Sequence, residues 1–276
     1  MSVPTAVSSA ERLGRPRPVA ALVRAPLRLL RVGGWTSLCV AVFLVGTAGT
    51  ALVPSARGPW RRWMFRGWAR GLTRILRLTV EVRGTPPTPP FLLVTNHLSY
   101  VDVIVLASCA PAVFVAKQEV RGWPIWGMLA ALVGTIFVDR NDRRDALRVT
   151  ECIRAAVAAG EGVVVFPEGT SSPGTEVLPL KPALLEAAAS SDWPVRYASL
   201  SYGVPEDEAP AHLAVCWWGD MSFGPHLAGL CRLSEFQALV VFGPEEVRGS
   251  DRKVLAIRLH EVIAQQFTPV ITRNWP

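Results

Sequence analysis

The sequence predicts an α/β protein: a mostly parallel sheet covered by helices, preceded by an N-terminal membrane-associated helical element. Three observations carry this. From residue 79 onward, short apolar runs alternate with stretches of helical periodicity, the pattern of successive strand–helix units. Ahead of them, residues 32–53 carry no charge over 22 positions, close to the ~20 needed to cross a hydrocarbon core. Between the two, residues 60–78 repeat basic residues along one side of a helix and aromatic residues along the other. The chain divides into a basic, partly disordered N-terminus (1–31), a membrane-associated helical element (32–78) and an α/β domain (79–276).

Residues 1–18 are small and polar, with Pro4, Pro16 and Pro18, and predict disorder. They lack signal-peptide form, because the apolar region begins too late. The uncharged 32–53 segment has four glycines and is flanked by arginines in similar number on both sides, so charge gives no orientation. A segment that dips in and returns to the same face explains that symmetry; a true span is the other reading. In the next helix Arg62, Arg66, Arg70 and Arg74 recur every four residues. Trp63, Met64, Phe65, Trp68, Leu72, Ile75 and Leu76 fall on the other side. That is the signature of a helix lying in a membrane interface, although a core-facing helix with a solvated Arg face has the same pattern.

Composition agrees. Half of the 276 residues are hydrophobic, yet 29 Lys+Arg outnumber 22 Asp+Glu for a net charge of +7; mean hydropathy is +0.29. Apolar and basic together suit an anionic membrane or phosphorylated ligands. Nucleic acid is not expected, since no strand interleaves aromatic and basic residues and no recognition-helix or zinc pattern occurs. Cys39, Cys109, Cys152, Cys216 and Cys231 lie far apart among apolar neighbours, which predicts free thiols in a reducing compartment and no metal site.

Within the α/β region, strands are expected at 79–82, 91–94, 113–116, 134–138, 162–166, 195–200, 213–217 and 238–242. Helices are expected at about 100–109, 122–132, 142–159, 180–190 and 251–267, with 203–210 a loop. The strand Phe91-Leu92-Leu93-Val94 breaks at Thr95-Asn96 and presents His97 just before a helix, with Asp102 five residues on, about one turn inside it. There the carboxylate can hold one imidazole nitrogen and turn the other outward, the arrangement of a base able to take a proton from an alcohol near neutral pH. Ser99-x-x-Asp102 is also an acceptable capping box, so Asp102 has a structural alternative.

Around that turn, Asn96 and the backbone N–H groups of the helix start are candidate oxyanion donors. The segment 166–172 (FPEGTSS) follows a strand, with Gly169 freeing the backbone and Thr170, Ser171 and Ser172 offering hydroxyls to a polar head group. Arg140 follows another strand and stands with Arg143 and Arg144, a positive cluster for a phosphate or carboxylate. Lys117 is a further cation at a strand end. No G-x-S-x-G nucleophile elbow occurs and no Cys is placed beside His97, which favours direct attack by an acceptor over an acyl-enzyme.

NHLSYVD at 96–102, GTIFVDR at 134–140 and VVVFPEGTSS at 163–172, in that order and spacing, resemble the glycerolipid acyltransferases, the lysophosphatidic acid acyltransferases and their bacterial relatives. The resemblance covers roughly residues 75–205. It implies that 79–276 is an acyltransferase catalytic domain with His97 as base and Asp102 as its orienting partner. Lys117, Arg140, Glu168, Gly169, Thr170 and Ser171 would lie on the acceptor side. It also implies an acyl-CoA or acyl carrier protein donor, no cofactor, a lysolipid acceptor and an N-terminal helical element seated among membrane lipids. The location implied is the inner (cytoplasmic) membrane, with the catalytic domain facing the cytoplasm.

Two departures bear on the acceptor. Enzymes forming phosphatidic acid usually carry Arg after FPEGT, whereas this chain has Ser171, and a serine cannot grip phosphate as a guanidinium does. Tyr197 stands where the family's fourth block would have proline. Trp217–Met221 (WWGDM) and His226 resemble lyso-ornithine lipid acyltransferases, which often have Ser or Thr after FPEGT. The expected acceptor is therefore lysophosphatidic acid, the family's usual one, with a lyso-ornithine lipid as the alternative. A thioesterase or lipase would need water as acceptor and usually a serine elbow. A non-catalytic lipid-binding protein would not require the His97–Asp102 pair.

Overall fold

The structure, a computed structural model, describes residues 19–139 and 145–270. The 1–18 segment and the cluster Arg140, Arg143 and Arg144 lie outside the described residues. Two helices open the chain: α1 (Val19–Gly49) and α2 (Arg57–Leu76), joined by a turn that includes a single 3-10 turn, Pro54–Ala56. Val23–Gly49 within α1 is long and apolar enough to cross a membrane, with a mean hydropathy of 1.7 in a window that is only 11% buried.

The two helices form an antiparallel hairpin locked by tryptophans against glycines. Trp60 fills the space a side chain at Gly46 would need, and Trp35 does the same over Gly71. Trp35 Nε1 donates to Trp68 O (3.0 Å), Trp68 Nε1 to Thr36 Oγ1 (3.1 Å) and Trp60 Nε1 to Phe43 O (3.3 Å). The basic face of α2 departs from the interfacial reading. Arg61 and Arg62 pair with Glu161 at 2.9 and 3.0 Å. Arg66 and Arg70 donate to the carbonyls of Ser108 and Cys109, which end the first helix of the α/β domain. Those carbonyls have no intrahelical partner and carry the negative end of the helix dipole, so guanidinium groups are drawn to them rather than to lipid head groups.

Beyond the hairpin the chain runs β1 (Leu78–Arg83), β2 (Phe91–Thr95), α3 (Val101–Cys109), β3 (Val113–Lys117), α4 (Gln118–Arg121), α5 (Trp126–Leu132), β4 (Ile136–Val138), α6 (Asp145–Ala158) and β5 (Gly162–Val165). There follow α7 (Glu186–Ala189), β6 (Val195–Gly203), α8 (Ala211–Ala214), α9 (Phe223–Leu230), β7 (Phe236–Phe242) and α10 (Arg252–Gln266). The seven strands form one sheet in the order β1-β7-β6-β2-β5-β3-β4. Every neighbouring pair is parallel except β6 and β7. Central β2 and β5 are buried at every position, as unbroken apolar runs in a sheet covered on both faces must be. One core lies between the sheet and α2, α3 and α9; the other is shared with α6, α7 and α10.

Several expected elements differ. Residues 213–217 are not a strand: Pro210 starts the short α8, and Trp217 N then pairs with Leu98 O. Short apolar runs do not distinguish strand from buried helix by periodicity. The 180–190 helix is a 3-10 turn (Pro182–Leu185) followed by four-residue α7, and of 122–132 only α5 is helical, with α4 a separate turn of helix just before it. All five cysteines are unpaired.

Candidate active site

The site is built beyond the carboxyl end of β2, where parallel α/β sheets place their crevices. Thr95 is in register with Ala198 of β6, and Asn96 just past it reaches Leu200. Its amide donates to Leu200 O (2.9 Å), accepts from Leu200 N (2.8 Å) and is fully buried. Asn96 therefore splices β2 to β6, its side chain fully buried between the two strands. The next residue, His97, is released from the ladder with its ring stacked on Phe166 at 4.2 Å.

Asp102 collects four donors from full burial. Oδ2 lies 2.7 Å from His97 Nδ1, 2.7 Å from Leu98 N and 3.1 Å from Ser99 N, and Oδ1 accepts from Tyr202 O–H at 2.7 Å. The capping and orienting readings of Asp102 thus coexist in one carboxylate. With Nδ1 turned to Asp102, Nε2 is the nitrogen that faces outward, on a side chain 23% exposed. That geometry suits an imidazole that takes a proton at Nε2.

The 166–172 loop wraps this turn from the end of β5. Glu168 is 2% exposed, its oxygens accepting from His97 N (3.3 Å) and Leu178 N (3.1 Å). It holds the backbone of the base and does not face an acceptor. Burial pushes its carboxyl up to about 8, with the two N–H groups opposing that shift and Asp102 adding to it. Gly169 has φ +73°, a conformation that an L side chain rarely adopts. Ser171 donates its hydroxyl to Trp217 O, Ser172 N donates to His97 O, and Trp217 N donates to Leu98 O. The loop and the 217–221 segment are thereby knitted to both sides of the catalytic turn, and of the three hydroxyl residues only Thr170 is exposed.

Residues 77–198 match the family model described as Acyltransferase. A lyso-ornithine lipid O-acyltransferase of Rhizobium meliloti is 37% identical over 224 residues, 77% of this chain and 76% of that protein. The chain belongs to this acyltransferase family. A second lyso-ornithine lipid O-acyltransferase, of Brucella abortus, is 33% identical over 243 residues and 90% covered. A 1-acyl-sn-glycerol-3-phosphate acyltransferase of Neisseria meningitidis is 33% identical over 135 residues, 48% of this chain and 53% of that protein. The crystal structure of the 1-acyl-sn-glycerophosphate acyltransferase PlsC of Thermotoga maritima shares the fold, with a TM-score of 0.58 at 18% identity over 91% of this chain and 99% of the other.

In this acyltransferase, Lys117 closes β3 beside the end of β4 (Lys117 with Val138), at the carboxyl ends of the parallel strands, as His97 and Glu168 are. Tyr202 and Trp217 join the site from far along the chain, and local spacing carries no signal of their contacts with Asp102 and Ser171. An aromatic cluster extends the wall next to His97: Tyr100 and Trp217 meet Phe223, which also contacts Trp123 and Trp126. His226 belongs to that wall. Its Nε2 faces Cys216 O and its Nδ1 faces Tyr100 O–H, both at 3.0 Å, so a neutral ring donates to the carbonyl and accepts from the phenol. Burial lowers its pKa and favours that neutral form.

Proposed function

We propose that this acyltransferase moves a fatty acyl group from acyl-CoA or acyl carrier protein to the free hydroxyl of a lysolipid, without a cofactor. The observation that carries the reading is the 2.7 Å contact of His97 Nδ1 with buried Asp102, which leaves Nε2 outward. The acceptor hydroxyl donates to Nε2 and attacks the thioester carbonyl as the proton passes to the ring. The carbonyl–oxygen bond forms, the carbon–sulfur bond breaks, and the proton returns to the departing thiolate. Base assistance of this kind is worth about 10²–10⁴-fold.

A lyso-ornithine lipid is the acceptor we favour. Ser171 replaces the phosphate-gripping arginine and gives its hydroxyl to Trp217 O, fixing the 217–221 segment beside the base. Lyso-ornithine relatives also match over a larger share of their length than the Neisseria protein does. Lysophosphatidic acid is the second reading, supported by the 33% identity to that protein. The hairpin enters a membrane with its apolar turn and returns, leaving α2 and the catalytic domain on one side; the inner membrane and its cytoplasmic face complete the proposal. The test is purified protein with acyl-CoA and a panel of lysolipids, read by mass spectrometry. His97→Ala should abolish every product that the wild type makes, and near-normal turnover in that variant would overturn the mechanism.

A further inference from the structure

We propose that Lys181 is the cation that receives the anionic group of the acceptor's head, in a subsite formed where its side chain lies over Gly169. The inference rests on the lysolipid reading and goes beyond it by placing the head group.

Lys181 is tied at its backbone and lays its side chain over Gly169. Its backbone N–H donates to Pro167 O at 2.7 Å, tying it to the base of the 166–172 loop. A Cβ added at Gly169 would lie 2.7 Å from Lys181 Nζ and 2.9 Å from both Cδ and Cε. The lysine stem thus runs flat against the bare backbone of Gly169, and a side chain at 169 would displace it. Gly169 follows Glu168, whose carboxylate accepts from His97 N, so the ammonium is held beside the loop that braces the catalytic base.

Among the described residues, no hydrogen bond or ion pair is made by Lys181 Nζ, and the residue is exposed. Glu168 directs both oxygens at backbone N–H groups instead. The loop's own side chains offer little to an anion: Ser171 is tied to Trp217 O, and Ser172 is buried and accepts from Gly174 N. An ammonium lying over the 166–172 loop, with no counter-ion among the described residues, is matched by a carboxylate or a phosphomonoester on the acceptor. A lysine is a point charge and does not demand the planar geometry that an arginine does. A phosphate of the acyl donor is the other source of the same chemistry.

The test uses full-length, detergent-solubilised enzyme. Lys181→Met keeps a stem over Gly169 and removes the charge; Lys181→Arg keeps the charge. Steady-state kinetics are measured with lyso-ornithine lipid, lysophosphatidic acid and neutral 1-acylglycerol, each against acyl-CoA and acyl carrier protein donors. Lys181→Met should raise KM for the anionic acceptor by roughly tenfold or more, the scale of one charge-assisted contact. Its kcat and donor KM should hardly change, its KM for any neutral acceptor used should stay put, and Lys181→Arg should recover most of the loss. An unchanged acceptor KM in Lys181→Met, or a rise confined to the donor KM, overturns the subsite while leaving the lysolipid reading intact. A wild type that acylates none of the three lipids overturns both.

Discussion

Tyr202 reaches Asp102 from the far end of β6, and the contact changes how the catalytic pair works. The carboxylate that orients His97 is itself held on its other oxygen by a fully buried phenol. Tyr202→Phe removes one hydrogen bond to a charged group, on the order of 1.5–3 kcal/mol. Its kcat should fall about 5–50-fold with KM nearly unchanged. Steady-state kinetics at a temperature where both proteins are folded would check it, and an unchanged kcat would mean that the phenol serves stability alone. Glu168 gives a second test, with a definite sign. Its folded-state pKa is about 8 against an ordinary 4.5, so its contribution to stability is fully present below pH 4.5 and is lost as pH rises through about 8. Glu168→Gln cannot titrate and leaves one backbone N–H facing an amide, so it should start less stable in acid. It should then gain on the wild type as pH rises, by on the order of 2–4 kcal/mol across that window. Melting curves at several pH values would show it, and parallel curves would refute it. His97 and Asp102 were legible in the sequence because their relation is local, one turn of helix apart. The contacts of Tyr202, Trp217 and Lys181 were not, because their partners are set by which strand lies beside β2 and by where the loop after β5 folds back.

At the scale of elements, the same contrast separates the sheet from the hairpin. Strands β2 and β5 are buried on both faces and read as continuous apolar runs, so the sequence located them well. The periodicity of α2 was legible too, but not what its faces meet, since an arginine that binds a helix C-terminus has the same spacing as one that binds lipid. The facing groups lie some 40 residues away in the chain, at Ser108 and Cys109. Arg66→Ala with Arg70→Ala should leave those carbonyls short of donors and lower stability by about 2–4 kcal/mol, counting charged hydrogen bonds to partly buried oxygens. Thermal denaturation in a fixed detergent would report it. A change under 0.5 kcal/mol, the usual range for a surface substitution, would mean that the arginines merely rest on α3.

For the whole molecule, the question is what keeps the enzyme at its lipid substrates. Removing the hairpin outright is a poor test, because Ala69, Leu72 and Leu76 of α2 are part of the core and their loss would expose it. The turn end of the hairpin is different: Leu44, Val45 and Leu52 are 52, 75 and 89% exposed. Arg66 and Arg70 hold α2 to the domain further along the helix, and Arg61 and Arg62 meet Glu161 just past the turn, so the part free to enter a bilayer is the apolar turn itself. Burying each of its apolar side chains in hydrocarbon is worth about 1.5–3 kcal/mol, and placing an aspartate there instead costs about 2.5–3.5 kcal/mol. The triple variant Leu44→Asp, Val45→Asp, Leu52→Asp should therefore weaken membrane binding by on the order of 10 kcal/mol, with little change in the fold. On fractionation at ordinary salt without detergent, wild type should sediment with the membranes and the variant should remain in the supernatant. The variant should still acylate lysolipid presented in mixed micelles, because no catalytic residue has been touched. If it sediments with the membranes as fully as the wild type, the apolar turn is not the anchor, and the basic surface or an interaction elsewhere must hold the enzyme there.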